Sequence, residues 1–492
     1  MKTYQDLQAV VRTGDNDQIM EFVRRIIGEY CGSDMYVTAV TAEEYYKKQN
    51  TTITQYEKTI TTITGRQVAD EYSANHKVVS GFFKRFVTQQ VSFSLGNGVS
   101  FDDNSTKDKL GGVKFDRAVQ QAGKWACIGG VAYMFWNLDH VEVFKAKEFV
   151  PLLDETNGAL RAGVKFWRLD EKKPLRAILY EEDGYTEFMW NNVDENGKKN
   201  TRGEIVGEGK TKGYISISKT TEADNETDVE WKNYGSFPIV PLWANEERQS
   251  ELVGIREGID AYDLIKNGFE NELDSAQMYW IIKGAGGMED PDLAHFLDRL
   301  KKLKVAAPMD DQTIEPVTIN LPYQARQTLL AMIENDLYRD FMIVNTDNIA
   351  SGAVTATQIR ASYSPQEAKA DDFEYQVGEA IEAVMELAGV EDKYGFERGY
   401  IINVSETIQN TLAAAQTLPQ DYVVKKILTA MGDGDMADDI IDEMAANELE
   451  QMKLAEEQAQ TENEETGAAI DEYGGEVADM LEALLKELDE EE

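Results

Sequence analysis

Residues 283–287, Lys-Gly-Ala-Gly-Gly, are the part of the sequence whose residue types come nearest to a nucleotide-binding loop. A glycine-rich loop between a strand and a helix can cradle phosphates with its backbone N–H groups. This segment lacks the Gly-Lys-Ser/Thr ending, the full GxGxxG spacing and a surrounding βαβ unit. An ordinary loop explains it better, and a nucleotide-binding enzyme that uses Gly284, Gly286 and Gly287 stays open as an alternative.

Four aspartates near the C-terminus could supply oxygen ligands for calcium, namely Asp433, Asp435, Asp438 and Asp439. The glycine at the sixth position and the glutamate at the twelfth position of an EF-hand loop are missing. Acidic side chains at the start of a helix interact favourably with its unpaired backbone N–H groups, and this role explains the cluster better. We predict no metal site here.

The histidines and cysteines show no catalytic or metal-binding spacing. His76, His140 and His295 lie in three separate segments, without a partner ligand nearby in sequence. Cys31 and Cys127 form no CxxC pattern, so neither a disulfide framework nor a cysteine zinc site is indicated. No Gly-x-Ser-x-Gly nucleophile motif occurs. The sequence predicts a protein without a cofactor that is not an enzyme.

The charge of the chain is its strongest compositional feature. The 492 residues are 42% hydrophobic and 28% charged, and the net charge is -41. The length could hold about three domains, and the charge disfavours tight nucleic-acid binding, which depends on Lys and Arg neutralising phosphates. Residues 1–13 lack a signal-peptide core, and no apolar run approaches the ~18 residues of a membrane span. We therefore predict neither export nor membrane insertion, and synthesis in a reducing cytoplasm.

Residues 246–276 are patterned as a long amphipathic helix. Their apolar positions recur every three or four residues, the period of one helix face. These positions are Leu252, Ile255, Ile259, Tyr262, Ile265, Phe269, Leu273 and Ala276. The other face carries charges, among them Asp260, Asp263 and Glu270. We predict a helix that packs along one stripe and exposes charge on its far side.

A second long helix is predicted over residues 322–345. Pro322 suits its first turn, because proline lacks the N–H that a helix start leaves unpaired. Its apolar stripe consists of Leu330, Ile333, Leu337, Phe341 and Val344. The residues between the two helices, 277–321, predict a strand at 278–282, a glycine loop, a helix at 292–304 and an extended segment at 315–319. The two helices would form a stalk with a small α/β tip.

Residues 1–243 predict an α+β domain with a helical first part and an antiparallel sheet. Helices are expected at 15–30, 75–90 and 114–127, and a capping box at 41–44 would open a further short helix. Strands are predicted at 131–138, 142–153, 160–169, 176–180, 185–190, 214–218 and 229–234. Asp183-Gly184 and Asn196-Gly197 suit tight hairpins between them.

The remaining third of the chain is predicted to be helical. The small and polar residues 346–353 interrupt the helical pattern, which resumes at about residue 355. Ser364-Pro365-Gln366-Glu367 resembles a capping box with proline in the first turn, so this helix should kink or restart there. Helices follow at 406–416, 419–431 and 436–457. Beyond residue 458 the excess of acids predicts a solvated or disordered tail.

Several motifs, taken in order, resemble the portal proteins of tailed bacteriophages, specifically the siphophage type with a Gp6-like fold. The resemblance rests on Phe-Pro-Ile-Val-Pro-Leu-Trp-Ala-Asn-Glu at 237–246, Ile-Asp-Ala-Tyr-Asp at 259–263, Trp-Ile-Ile-Lys-Gly at 280–284 and Phe-Ser-Leu-Gly at 93–96. It extends from residue 75 to about residue 387. None of these motifs is chemically specific, so their order and spacing carry the resemblance.

The resemblance implies an α+β portal fold. Its parts would be an α/β wing (1–243), a first stem helix (244–276), a small α/β clip (277–321), a second stem helix (322–345), a tunnel loop (346–354), a kinked long helix (355–398), a helical crown (399–457) and an acidic tail (458–492). The clip would lie at the tip of the stem, and the tunnel loop would project into a channel.

The resemblance also implies a function in the virion. Members form a ring, commonly a dodecamer, at one capsid vertex, where a terminase packages double-stranded DNA that is later ejected. Implied partners are further copies of the chain, the major capsid and scaffolding proteins, the terminase large subunit and the head-completion proteins, with no sequence-specific DNA contact and no membrane. Another acidic phage structural protein, such as a scaffold or minor capsid component, stays open as an alternative.

Candidate site residues follow from this assignment. The tunnel loop that would contact DNA contains Thr346, Asp347, Asn348, Ile349, Ala350, Ser351, Gly352 and Ala353. Candidates for the channel wall of the stem are Asp260, Asp263, Glu270, Glu334 and Asp340. Candidates for partner binding by the clip are Gly286, Met288, Asp292, His295 and Arg299.

Overall fold

The chain is a mixed helix and sheet protein that divides into two compact units. The computed structural model describes residues 2–61, 65–70, 75–170, 172–191, 203–207, 213–220, 227–275, 279–283, 313–317, 323–347, 356–400, 404–447, 449–454, 477 and 480. The first unit comprises Met1–Ala353 with Ile359–Gly399, and the second comprises Val354–Gln358 with Tyr400–Glu492.

Four helices open the first unit: α1 (Tyr4–Val11), α2 (Asn16–Cys31), α3 (Asp34–Tyr46) and α4 (Thr51–Thr54). Asp15 caps α2 by accepting hydrogen bonds from the N–H groups of Asp17 and Gln18. The prediction that a helix begins at the 41–44 capping box is wrong, because α3 begins after Ser33 and contains those residues. Glu43 instead lies buried in ion pairs with Lys47 and Lys147.

A five-stranded antiparallel sheet packs against α2. Its order is β10-β9-β8-β7-β6, with β6 (Phe149–Leu153), β7 (Leu160–Trp167), β8 (Leu175–Glu181), β9 (Gly184–Trp190) and β10 (Gly203–Ile205). Apolar residues from this sheet and from α2 share one buried cluster. The single strand predicted at 142–153 is two strands, because a 3-10 turn at Ala146–Glu148 separates them.

The main core surrounds a three-stranded sheet in the order β13-β4-β5: β13 (Ile239–Trp243), β4 (Val131–Asn137) and β5 (His140–Lys145). Helix α7 (Val113–Gly129) packs on it and ends at Gly130, whose φ of 86° suits glycine. Short elements complete this region: β1 (Thr59–Thr61), β2 (Gln67–Ala69), β3 (Val99–Phe101), α6 (Asn104–Lys109), β11 (Ile215–Thr220) and β12 (Thr227–Lys232).

The helix predicted at 75–90 begins later than expected. Helix α5 spans Phe82–Leu95, and residues 75–80 precede it in an extended course. Val78, which the helical pattern placed on the apolar face, is 41% exposed. The reason is tertiary: backbone groups of residues 75–80 bond to side chains of the first long helix rather than to one another.

The two long helices of the stalk are α8 (Arg256–Ser275) and α9 (Tyr323–Asp340), and they pack against each other. The predicted start at residue 246 is wrong, because residues 251–255 form turns and Gly254 has a φ of 90°. The second helix also ends before residue 345, and Met342 has a φ of 58°. Strands β14 (Tyr279–Lys283) and β15 (Thr313–Val317) pair antiparallel in the predicted clip.

The kink or restart predicted at 364–367 is a restart, because two helices, α10 (Ala356–Ser362) and α11 (Ser364–Ala388), are separated at Tyr363. Pro365 lies in the first turn of α11, as expected, but the N-cap residue is Tyr363 and not Ser364. Helix α11 ends at Gly389 in the left-handed conformation. Strand β16 (Tyr394–Phe396) then pairs with β3.

The second unit contains helices α12 (Val404–Ala414) and α13 (Gln420–Met431), which pack together. A 3-10 turn at Gly434–Met436 leads into helical residues 437–447 and 449–454. Val423 and Ala437 are buried within this unit. Its helices therefore follow the predicted pattern closely.

Candidate functional site

An extended segment, residues 75–80, lies along α8, and we call it the strap. Three of its backbone N–H groups donate to side-chain oxygens of α8, in the pairs His76–Asn271 (2.7 Å), Val78–Asn267 (2.7 Å) and Ser80–Asp263 (3.0 Å). Two residues of extended chain rise about 6.6 Å and four residues of helix rise about 6 Å. Every second residue of the strap therefore lies opposite every fourth residue of α8. The side chain of Asn267 also donates to the carbonyl of Val78 at 2.8 Å.

Asp263 lies at the centre of the contact between the strap and α8. Its carboxylate is fully buried and accepts hydrogen bonds from Ser80 N and, at 2.6 Å, from Asn50 Nδ2. Burial raises the pKa of Asp263 although both hydrogen bonds favour its charged form. The prediction that Asp263 lies on an exposed charged face is therefore wrong, and the residue cannot line a channel.

Asp260 is one turn from Asp263 and is also engaged within the chain. Its two carboxylate oxygens accept hydrogen bonds from Tyr45 Oη at 2.6 Å and from Thr52 Oγ1 at 2.8 Å. Burial raises the pKa of the Tyr45 hydroxyl, and its hydrogen bond to Asp260 adds to this effect. The acidic face of α8 thus holds α3 and α4 in place.

The other stem candidates differ in exposure. Glu270 on α8 and Glu334 on α9 are half-buried, whereas Asp340 at the end of α9 is exposed. Glu334 lines a cavity of about 250 Å³ together with Lys266 and with Arg85 of α5. The structure therefore leaves Asp340 as the most accessible of the predicted stem carboxylates.

Contacts between α8 and α9 run along the whole described length of the pair. Near the tip, Arg326 pairs with Glu272 at 2.7 Å and lies over the ring of Phe269. At the other end, Leu337 fills the space beside Gly258, where an added Cβ would come within 2.9 Å. The two helices therefore pack closely at the start of α8, since a side chain at residue 258 would force them apart.

A partly buried ion pair joins the segment before α8 to α11. Lys369 Nζ pairs with the carboxylate of Glu251, donates to the carbonyl oxygen of Phe341 at 3.1 Å and lies 3.5 Å from the centroid of the Phe341 ring. Sequence reasoning missed this contact. A signal was present, because Lys369 is the single basic residue among seven acids in α11.

Residues 34–463 match a protein-family model described as "Phage portal protein, SPP1 Gp6-like". The chain belongs to this portal family. The family is a structural, non-enzymatic component of phages, which decides against the nucleotide-binding enzyme and against a scaffold or minor capsid component. The predicted resemblance is therefore confirmed.

Two curated portal proteins are similar in sequence. The portal protein of Clostridium phage phiCD119 is 24% identical over 178 residues, 35% of this chain and 40% of that protein. The portal protein of Bacillus phage SPP1 is 23% identical over 359 residues, 68% of this chain and 66% of that protein. The matches thus span less than two thirds of the length of either relative.

Solved structures show weaker likenesses. A chain in the neck of an empty gene transfer agent particle is 10% identical, with a TM-score of 0.37, over 70% of this chain and 88% of that one. A chain in the virion of a native gene transfer agent particle is 10% identical, with a TM-score of 0.38, over 69% of this chain and 88% of that one. Scores this low do not establish a shared fold.

Part of the predicted portal site falls outside the described residues. Thr346 and Asp347 are described, and Asp347 N donates to the side chain of Asn345 at 3.0 Å. Residues 348–353 of the tunnel loop lie outside the described ranges, as do the clip candidates Gly286, Met288, Asp292, His295 and Arg299. These assignments stay predictions.

Metal and cysteine chemistry find no support in the described part of this portal-family chain. Among those residues, no three His, Cys, Asp or Glu side chains are grouped as metal ligands. Cys31 and Cys127 are free thiols, and burial raises the pKa of Cys127 well above its ordinary value. Within the same residues, the helices are too short or too polar for one to cross a bilayer.

Proposed function

We propose that the chain is the subunit of a portal ring at one vertex of a phage capsid. DNA would enter through the ring during packaging by the terminase and leave through it on ejection. The family match over residues 34–463 is the observation that carries this proposal. The ring would be a dodecamer that resides in the virion.

The parts of the chain would have separate partners. The wing, residues 1–243, would meet the major capsid and scaffolding proteins, while α8 and α9 would surround the channel. The clip, residues 277–321, would bind the terminase large subunit first and the head-completion proteins afterwards. The net charge of -41 per subunit supports a conduit, because such a ring repels phosphate and lets DNA pass without sequence-specific binding.

Among the stem carboxylates, we propose Asp340 as the residue most open to a channel. Asp260, Glu270 and Glu334 are partly covered within one chain. Asp263 is no candidate for the channel wall, because it is buried. An exposed carboxylate repeated around a ring would keep phosphates away from the wall.

The tunnel loop, residues 346–353, would touch the DNA. Its sequence is small and polar and contains no Lys or Arg, which suits a contact that must slide. The double substitution Asp347→Lys with Asn348→Lys would add two lysines per subunit, 24 in a twelve-subunit ring. Rings should still form while DNA packaged per procapsid falls. Normal packaging would mean that the loop does not reach the DNA.

Ring formation tests the proposal directly. Twelve copies of the 55.3 kDa chain have a mass of about 664 kDa, which light scattering distinguishes from a monomer. The purified full chain, imaged in negative stain, should show rings with an axial hole. Monomers alone at micromolar concentration, with no rings after incubation with procapsid components, would contradict the proposed function.

A further inference from the structure

The α8–α9 hairpin has two sides of different chemistry. Leu264 and Lys266 on α8 are two residues apart, as are Met332 and Glu334 on α9, and two residues correspond to about 200° around a helix. Lys266 and Glu334 line the same cavity, which defines the cavity side of the hairpin. Leu264 and Met332 therefore lie on the opposite side, which we call the apolar side.

The apolar side is uncovered within one chain. Leu264 is 40% exposed, Leu329 is 43% exposed and Met332 is 57% exposed. On α9, Ala325, Leu329 and Met332 follow one another at helix-face spacing, and all three are exposed. Beside Leu264, a cavity of about 280 Å³ lies between α8 and residues Ile53 and Tyr56. Contiguous exposed apolar surface of this kind marks an interaction site.

The apolar side also carries negative charge. Asp336 follows Met332 by four residues and Leu329 by seven, so it shares their face; its side chain is 60% exposed, and Arg339 approaches it to 3.4 Å. Glu257 precedes Leu264 by seven residues on α8 and is exposed as well. A partner of this surface should therefore combine apolar contacts with positive charge.

The cavity side offers that combination. Its cavity of about 250 Å³ is lined by two cations, Arg85 and Lys266, and by one anion, Glu334. Val79 and Tyr262 contribute apolar wall, and Leu273, seven residues after Lys266 on the same face of α8, is 54% exposed. Among these lining residues the cations outnumber the anion, although Glu270, four residues after Lys266 on the same face of α8, places a second carboxylate near them.

We propose that the apolar side of one copy packs against the cavity side of the next, with Met332 in the apolar part and Asp336 facing Lys266. The two surfaces differ and lie on opposite sides of one hairpin, so the contact is heterologous and repeats around a closed ring. It rests on the proposed ring function and identifies the residues that hold it. Complementary charge offsets the repulsion between subunits that all carry a large negative charge.

The proposal is tested by charge reversal with rescue, using the full-length chain and counting rings by light scattering and negative stain. Met332→Glu and Asp336→Lys should each lower the ring fraction by about tenfold at a fixed concentration. Lys266→Glu should do the same, and the double variant Asp336→Lys with Lys266→Glu should recover rings. Glu204→Lys, an exposed site on β10 with the same charge change as Asp336→Lys, is the matched control and should behave as the wild type.

The outcomes separate this interface from the ring itself. Circular dichroism of each variant monomer should equal that of the wild type, which excludes unfolding as the cause. An unchanged ring fraction in Met332→Glu and Asp336→Lys would overturn the proposed interface without contradicting ring formation. The apolar side would then be covered by another protein. If the single variants lose rings and the double variant does not recover them, the Asp336–Lys266 pairing is overturned. Absence of rings in the wild type would contradict the proposed function instead.

Discussion

Replacing Asp263 by alanine should loosen the strap, residues 75–80, from α8. The fully buried carboxylate accepts hydrogen bonds from Asn50 Nδ2 at 2.6 Å and from Ser80 N at 3.0 Å. A buried donor left without an acceptor costs about 1–3 kcal/mol. Two such donors give an expected loss of about 2–6 kcal/mol, which should act where the strap meets α8.

Hydrogen exchange measured by mass spectrometry reports this loss locally. If the opening free energy of the strap falls by about 2 kcal/mol, amide exchange in a peptide covering residues 76–81 should quicken about 30-fold. Asp340→Ala is the matched control, since it removes an exposed aspartate from the same hairpin. The reasoning is refuted if Asp263→Ala leaves exchange in this peptide as slow as Asp340→Ala does.

Asp263→Asn should be much milder than Asp263→Ala, and its effect should depend on pH. The new amide keeps one acceptor for Ser80 N, and Asn50 Oδ1, which has no hydrogen-bond partner, can turn to accept from the new N–H. Burial raises the folded-state pKa of Asp263 above 3.8, so the folded state retains its proton to higher pH than the unfolded state. Wild-type stability should fall as pH rises through this window and then level off. In urea titrations, the unfolding free energy of the asparagine variant minus that of the wild type should increase as the pH rises through this range. A decrease of this difference would contradict burial as the dominant effect on the pKa.

Three further changes have definite expected outcomes. Lys369→Met should cost about 1–3 kcal/mol in urea unfolding because the largely buried Glu251 carboxylate would keep only its hydrogen bond from Asn245, and adding Glu251→Gln should recover part of that loss. Gly130→Ala should lower the melting temperature more than Gly14→Ala: both glycines have positive φ, but only at Gly130 would a Cβ meet backbone atoms, at 3.1 Å. Deleting residues 461–492 should leave the ring yield unchanged, because this acidic segment has too little apolar content to order itself; a loss of rings would assign it to the ring core.

Elements whose pattern is set by local sequence were predictable. The apolar runs of β4, β8 and β9 and the turn at Asp183-Gly184 gave strands within two residues of the observed ends. The break between α10 and α11 followed from Pro365, because proline lacks the N–H that a continuous helix would need there and is tolerated in the first turn of a new helix. The periodicity also predicted the two long helices and the two extended segments between them, but not the antiparallel pairing of those segments.

Boundaries and burial that depend on distant contacts were not predictable. Residues 75–80 carry a helical pattern, yet their N–H groups find acceptors on α8, nearly 190 residues later in the chain. Asp263 was assigned to a solvated face because a charge at helical spacing normally indicates solvent. A polar stripe that serves as a row of acceptors for another segment has the same sequence signature as a solvated stripe, so composition alone cannot separate the two.

The three hydrogen bonds between the strap and α8 constrain the position of α8 along its axis in a way that an apolar stripe does not. Dispersion contacts are non-directional, so an apolar stripe tolerates small axial shifts, whereas the strap bonds of 2.7–3.0 Å end within about half an ångström of displacement. A slip of α8 by about 3 Å, half of the repeat that α8 shares with the strap, would break all three bonds and leave the Asp263 carboxylate buried without donors. Helix α8 is thus held in its axial register by Asp263, Asn267 and Asn271, while Lys369 fixes the adjoining segment at Glu251. A force applied along the hairpin should therefore be passed to the strap and to α11 before α8 and α9 separate from each other.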